Sequence, residues 1–414
     1  MESRYDYVLL GGGTSCGYAA RGIRELDKTG SIAIISADSE PPYDRPPFSK
    51  GFLKNDTMEV ADAHSNEDSF YLESSIDVEL NRRASSLDLA AKRVGLEGGD
   101  TVEYGKLLYA LGSEPRRLQI PGGEKMWTLR TAADGVRIRD AGQAGKRAVL
   151  IGGGYIGTEV AASLLSRGVE VTIIETEERL LRFFPESMSA AVQEQIESMG
   201  GKVNTGDAIA SIDANGFVTT KNGVQIESDM VIEGVGVQAR LDLGKAAGLE
   251  MGEHGLVADA TLRSSDPSVW LAGDVVEYPD PIMERPFRAE HHMHATWTGE
   301  HAGRAMGGAM AEFRKVPYFF SDIGPLSMIL RGDPEASGRI FEFGDQLTPR
   351  LTEVVLREDG RLAKFTDLRK EWSEQEPLVD LAERLIEGNV PLEPMANAMG
   401  QKDFDPTRLG ELLT

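Results

Sequence analysis

The sequence predicts an α/β fold in three parts, and three observations carry that expectation. An apolar strand, a Gly-rich turn, an Ala-rich helix and a second apolar strand follow one another in YDYVLLGGGTSCGYAARGI and SIAIIS, and again in KRAVLIGGGYIGTEVAASLL and VEVTIIE. A third apolar stretch, DPSVWLAGDVVEYP, reads as a buried strand in need of a sheet. From Val316 onward the pattern changes to short alternating strands, RIFEFG, RLTEVVLRE and RLAKFTDLR, followed by a helix, LVDLAERLIEG. The fold class is therefore two Rossmann-like dinucleotide-binding domains plus an α+β C-terminal domain.

The first unit starts at Tyr5 and reaches LLYALGSEPRRLQIPG, where a strand ends at Gly112 and a Pro-containing turn leaves the domain. The second runs from about Trp127 to VIEGVGVQAR, with a similar ending at Gly236. The stretch VWLAGD, ending at Gly273 and Asp274, has the first sheet as its natural partner, which makes the second unit an insertion. The expected boundaries are 1–118 with 241–315 for the first domain, 119–240 for the second and 316–414 for the third. The tail MANAMGQKDFDPTRLGELLT shows no clear period.

The turns carry chemistry. Gly11 and Gly13, then Gly152 and Gly154, permit a tight bend and let backbone approach a pyrophosphate at the positive end of a helix. The third small position is Gly157 in one turn and Cys16 in the other, where close helix–strand packing predicts a buried, inert thiol. Glu175 ends the second strand of the second unit, where an acid accepts hydrogen bonds from the ribose hydroxyls of NAD. Its neighbours Thr176, Glu177 and Glu178 offer no cation to a 2'-phosphate, which favours NADH over NADPH. In the first unit Ala37 or Asp38 takes that place, and Asp38 alone has an acid to offer. In PPYDRPPFSK the paired prolines stiffen the loop, disfavour helix through Pro47 and hold Arg45 and Lys50 in place. Two dinucleotides in one chain imply electron passage between them.

Composition narrows the class. A chain of 414 residues accommodates two or three cores, and a net charge of -23 argues against nucleic acid as a partner. No apolar run reaches the length of a bilayer, and MESRYDYVLL enters a strand directly. The single Cys16 excludes an intramolecular disulfide and fits a cytoplasmic setting. Glu290-His291-His292-Met293-His294 invites a metal reading, but adjacent histidines diverge and no further ligand cluster completes a shell. His64, His254 and His301 read as surface or packing residues, and Trp127, Trp270, Trp297 and Trp372 carry no assigned role.

Taken together, GGGTSCGYAA, PYDRPPFSK, GGGYIGTE, VWLAGD, RAEHHMHA and PYFFSDIG resemble the FAD-dependent pyridine nucleotide oxidoreductases. The likeness is greatest to the apoptosis-inducing factor branch, then to ferredoxin and rubredoxin reductases, and covers roughly Tyr5 to Asp322. It implies FAD in the first unit, NADH in the second, and a C-terminal domain that closes over the flavin. By that resemblance Gly11 and Gly13 flank the FAD pyrophosphate, Asp274 binds the ribityl chain and Arg45 meets the adenosine or pyrophosphate side. Lys50 approaches flavin N5 and O4, paired with Glu159, and Tyr155 covers the flavin until nicotinamide displaces it. Glu290 and His291 match residues that line the nicotinamide and flavin faces. Thr14, Ser15, Ala84, Ala110, Gly112, Gly273 and Phe320 join the FAD site, and Ile156 the NADH site.

Four departures stand out: Cys16 for Gly or Ala, Ala37 for the usual ribose acid, Leu111 in ALG for ATG, and Phe320 for Trp. The implied activity moves hydride from NADH to FAD and electrons onward, with no cysteine pair to receive them. The acceptor is then an iron–sulfur or rubredoxin-type protein, a quinone or dioxygen, with Arg314, Lys315, Arg369 and Lys370 as a local docking patch. The alternative implied by the resemblance is a redox-sensing protein that holds a long-lived flavin–NAD charge-transfer complex and forms a homodimer.

Overall fold

Apolar runs buried on both faces place the strands of the first unit in the middle of a sheet rather than on its surface. The computed structural model describes residues 3–344, 350–370, 377–401 and 404–413, so Trp372 lies outside the described residues. Two compact units emerge: Met1–Pro46, Glu59–Glu114 and Val237–Lys315 form one, and Pro47–Met58, Pro115–Gly236 and Val316–Thr414 the other.

In the first unit Arg4–Leu10 pairs in parallel with Ile32–Ile35 on one side and Thr101–Tyr109 on the other, so that Leu9 faces Ile34 and Leu108. Ile76–Glu79 continues the parallel run, and the antiparallel strands Arg93–Leu96 and Ala84–Asp88 complete the other side. Val8, Leu9, Leu10, Ile34, Leu107 and Leu108 are fully buried, each contributing about 1.5–3 kcal/mol of transfer free energy. Val269–Leu271 joins Thr101–Tyr109 in parallel. That strand stops at Leu271 and not at Gly273 and Asp274, which open a 3-10 turn instead. The left-handed Gly273 (φ 71°) breaks the extended run, and its N–H donates to Thr298 Oγ1 (2.9 Å).

Two helices of this unit meet backbone to backbone. Thr14–Leu26 leaves the glycine turn, and His292–Gly307 lies against it. A Cβ on Gly299 would stand 2.4 Å from Ser15 O, and one on Gly303 2.2 Å from Ala19 O. Ser15 Oγ donates to Ala295 O (2.9 Å) at the same contact. The start of the later helix, which follows Glu290 and His291, is thereby registered on the glycine turn.

The second unit holds a four-stranded parallel sheet in the order Lys202–Asn204, Glu170–Ile174, Arg147–Ile151, Met230–Glu233. Helix Tyr155–Ser166 crosses between two of these strands in sequence. The loop before Lys50 differs from expectation: Pro46–Ser49 forms a 3-10 turn and Gly51–Lys54 a short helix. Proline's fixed φ suits a first helical turn, where its missing N–H has no partner to lose, so the pair starts the turn instead of blocking it.

The three strands expected after Val316 appear as Arg339–Phe343, Arg350–Leu356 and Leu362–Arg369, with helix Pro377–Glu387 after them. A hairpin, Tyr318–Ile323 and Leu326–Gly332, completes this five-stranded antiparallel sheet. Ile323, Leu326, Met328, Leu351 and Leu368 share one core with Leu150, Val160, Ile173 and Ile232. The aperiodic tail forms short helical turns at Glu393–Met395, Ala396–Met399 and Pro406–Leu413. Met395, Ala396, Met399, Phe404 and Leu409 are buried among its described residues, spread over separate turns and so without a visible period. Arg369 is not available for docking: it is buried on a central strand and faces Asp367 (Nη1–Oδ2 3.5 Å). Arg314, Lys315 and Lys370 are exposed.

Replacing Gly303 with Ala tests the helix contact. Gly to Ala inside a helix ordinarily stabilises by about 0.5–1 kcal/mol, but here the methyl meets a main-chain carbonyl. The expected outcome is destabilisation of about 1–3 kcal/mol in chemical denaturation, and a gain in stability would show that the two helices separate freely.

Candidate functional site

The first turn is shaped by what its glycines exclude. Gly11 has φ 137°, and a Cβ there would stand 2.3 Å from Ala110 O. Ala110 N–H in turn donates to Leu10 O (3.0 Å), so strand end and turn are locked together. Cys16 is fully buried beside Gly11, and burial pushes its thiol well above the usual range, which leaves it protonated and unreactive. Thr14 and Ser15 are buried in the first helical turn, and Thr14 Oγ1 donates to Tyr43 O (3.3 Å). Arg45 reaches the same turn: its Nη1 is 2.9 Å from where a Cβ of Gly13 would be, and its guanidinium lies 5.6 Å from the Tyr43 ring centre.

Asp38 stands behind this turn, with its Cβ 3.5 Å from where a Cβ of Gly12 would lie, while Ala37 is exposed. Tyr43 Oη donates to Asp38 Oδ2 and Ser39 N–H to Oδ1 (both 2.8 Å), which fixes the carboxylate. Asn81 N–H donates to Asp38 O (2.9 Å) and Arg82 N–H to Ser36 O (2.7 Å), so the strand opened by Ala84 begins beside it. At the other strand end Gly112 is left-handed (φ 64°), and Asp274 accepts a hydrogen bond from Ser113 Oγ. Arg288 Nη1 donates to Asp274 O (2.8 Å) and to Glu290 Oε1 (2.7 Å). Arg288, within the RAEHH segment, joins Asp274 to Glu290, a link that the sequence did not disclose.

His291 and His294 have different surroundings. His291 Nδ1 accepts from Met293 N–H (3.3 Å) and caps its helix. His294 is buried, stacked on Tyr278 (5.8 Å, 17°) with Phe287 and Phe313 edge-on, and burial lowers its pKa to about 4, leaving the ring neutral. Among the described residues no three His, Cys, Asp or Glu side chains converge as metal ligands. His64 packs between Glu40 (3.4 Å) and Asp68 (3.5 Å), His301 is half-buried against Phe313, and His254 is exposed.

The second turn, in the other unit, repeats the geometry. Gly152 has φ 103°, and a Cβ there would stand 2.6 Å from Gly234 O; one on Gly157 would fall 1.9 Å from Gly152 O. A Cβ on Gly154 would meet nothing within 4 Å beyond its chain neighbours and its own helix, so there is room beside the turn at the start of a helix. This fits a pyrophosphate cradle. Glu175 Oε2 accepts from Gly153 N–H (2.5 Å), while Oε1 accepts from Glu177 N–H (2.8 Å) and Thr176 Oγ1 (3.0 Å). The acid is held against the turn, and nearby Arg182 is engaged by Glu177 (2.9 Å). Tyr155 opens the helix edge-on to Phe184 (5.8 Å), Ile156 beside it is exposed, and Gly236 (φ 98°) lies beyond the end of Met230–Glu233.

Also in this unit, Glu159 is a buried carboxylate with three donors. Lys50 Nζ lies 2.8 Å from Oε1, Ser321 Oγ donates to Oε1 (2.6 Å), and Ser49 Oγ donates to Oε2 (2.5 Å). Lys50 Nζ is also 5.4 Å from the Phe320 ring centre. The two serines were missed because each lies in a motif noticed for a neighbour, Lys50 or Phe320. The sites thus form two constellations, one built on Gly11, Gly13, Asp38, Arg45, Asp274 and Glu290, the other on Gly152, Gly154, Glu175, Lys50 and Glu159.

Paired glycine turns, each backed by a strand-end acid, define a protein that binds two dinucleotides. The chain belongs to the pyridine nucleotide-disulphide oxidoreductase family, whose model matches residues 5–299. It is 32% identical to the ferredoxin–NAD(+) reductase component of the biphenyl dioxygenase system of Paraburkholderia xenovorans (strain LB400), over 82% of this chain and 83% of that one. It is 31% identical to the rubredoxin–NAD(+) reductase of Pseudomonas putida (78% and 85%) and 30% identical to the peroxisomal monodehydroascorbate reductase 4 of Arabidopsis thaliana (83% and 75%). Among solved structures, a ferredoxin reductase from Rhodopseudomonas palustris superposes with a TM-score of 0.82 at 26% identity, covering 88% of this chain and 91% of that one. The fold alone is shared with a putidaredoxin reductase in covalent complex with putidaredoxin (TM-score 0.89, 24% identity, 99% and 98%). The protein is an NAD(H)-dependent flavoprotein oxidoreductase whose cofactors are FAD and NAD(H). Its one cysteine leaves it without the disulfide of the family's name. No helix among the described residues is long and apolar enough to cross a membrane.

Glu175→Ala should raise the KM for NADH about tenfold or more, the size expected for a lost charge-assisted hydrogen bond, with FAD content unchanged. Steady-state kinetics beside flavin absorbance checks this, and an unaltered KM would remove Glu175 from the nucleotide site.

Proposed function

We propose that this protein takes hydride from NADH and delivers electrons to an external iron–sulfur protein. The observation that carries the reading is similarity, at 32% identity over 82% of this chain and 83% of the relative, to a ferredoxin–NAD(+) reductase component. The rubredoxin reductase likeness supports it, and the sole cysteine, buried and protonated, offers no internal acceptor. Bound FAD supplies a two-electron carrier that can release electrons one at a time. The chain's own residues do the rest.

In this reading the open backbone at Gly154 and the fixed carboxylate of Glu175 hold the visiting nucleotide, and Tyr155 gives way to its nicotinamide. Gly11, Gly13, Arg45 and Asp38 hold the adenosine and pyrophosphate side of the resident one, with Asp274 at the ribityl chain and Glu290 and His291 at the ring. Lys50 is assigned to flavin N5 and O4 on the family resemblance, where a fixed ammonium offsets negative charge gained on reduction. Its 2.8 Å pairing with Glu159 orients it. The reductase names of the relatives support this over a redox-sensing dimer.

NADH-reduced protein offered a ferredoxin, a rubredoxin, monodehydroascorbate, a quinone and dioxygen in separate stopped-flow runs decides the acceptor. Reoxidation should be fastest with an iron–sulfur protein. Equal or faster reoxidation by any small molecule would overturn the assignment. Lys50→Ala should slow flavin reduction by about 10²–10³-fold, as for loss of one preorganised charge, and an unaffected rate would reject its role.

A further inference from the structure

We propose that Ser321 and Ser49 are positioning residues, whose hydroxyls share Glu159 with Lys50 and so set how much of the lysine's charge is left for the cofactor. The inference rests on the reading of Lys50 given above. Glu159 Oε1 takes two donors, Lys50 Nζ at 2.8 Å and Ser321 Oγ at 2.6 Å, and Oε2 takes Ser49 Oγ at 2.5 Å. Glu159, Ser321 and Ser49 are 4%, 1% and 3% exposed, so bulk water does not replace a lost hydroxyl. Ser163 lies one turn after Glu159 on the same helix face and donates to Ser49 O (2.7 Å). The Ser49–Lys50 segment is therefore fastened to that helix at two points.

The direction of the effect follows from charge. A carboxylate with three donors spreads its negative charge over all of them. Withdrawing a hydroxyl concentrates that charge on the ammonium, draws Lys50 toward Glu159 and weakens the field it projects elsewhere. In a buried setting such a change is poorly screened. Neither serine needs to touch the reacting atoms; each acts through Glu159. Reduced cofactor would then be stabilised less, while nucleotide binding at Glu175 would be untouched.

The test uses FAD-loaded protein carrying Ser321→Ala, Ser49→Ala or Ser321→Thr, with the flavin midpoint potential, kcat and KM for NADH, and the melting temperature measured for each. Either alanine variant should move the potential negative by about 30 mV, a tenfold change in a two-electron equilibrium. The kcat should fall in step, KM should hold, and threonine should restore both. A lowered melting temperature with an unmoved potential in both alanine variants would make the serines merely structural and overturn the proposal, as would a positive shift. If Lys50→Ala moves the potential and the serine variants do not, this inference alone fails. If Lys50→Ala leaves it unmoved, the reading beneath it fails too.

Discussion

Where each leading strand ends, the main chain must reverse beside a neighbouring carbonyl with no room for a Cβ. Gly11 meets Ala110 O and Gly152 meets Gly234 O in this way, and both adopt backbone angles open in practice only to glycine. The helix and the acid behind it take their places from that reversal. The two turns are not copies, however. Gly157 is pressed against Gly152 O, so no side chain fits, whereas the first turn leaves space for the Cys16 sulfur. The same motif therefore tolerates a thiol in one unit and forbids it in the other.

A second constraint is the cost of burying charge. Glu159 is taken out of water with one ammonium and two hydroxyls around it, which is what a buried carboxylate requires to remain favourable. Asp38 and Glu175, less buried, are satisfied differently, by a tyrosine and by main-chain N–H groups of their own turns. Each acid is thus held in one orientation by its own donors.

The net charge of -23 is an average over a surface that also carries exposed cations. Arg314, Lys315 and Lys370 remain exposed, whereas Arg369 is consumed by Asp367 within the sheet. Local cations modify the field that the global charge sets up.

The chain's order of residues alone determined both strand–turn–helix repeats, the presence of an acid, Glu175 or Asp38, shortly after the second strand of each, and the change of pattern after Val316. Those features are local: a period of hydrophobicity, or a residue at the end of a strand, is complete within a short window. Tertiary structure decided what depends on neighbours far away in sequence. Whether Arg369 reaches solvent, whether Pro46 and Pro47 begin a turn, how the aperiodic tail finds its buried contacts and which hydroxyls reach Glu159 are settled by packing. A hydrogen bond from Ser321 to Glu159 joins positions 162 apart, and no local pattern records which side chain waits at the other end.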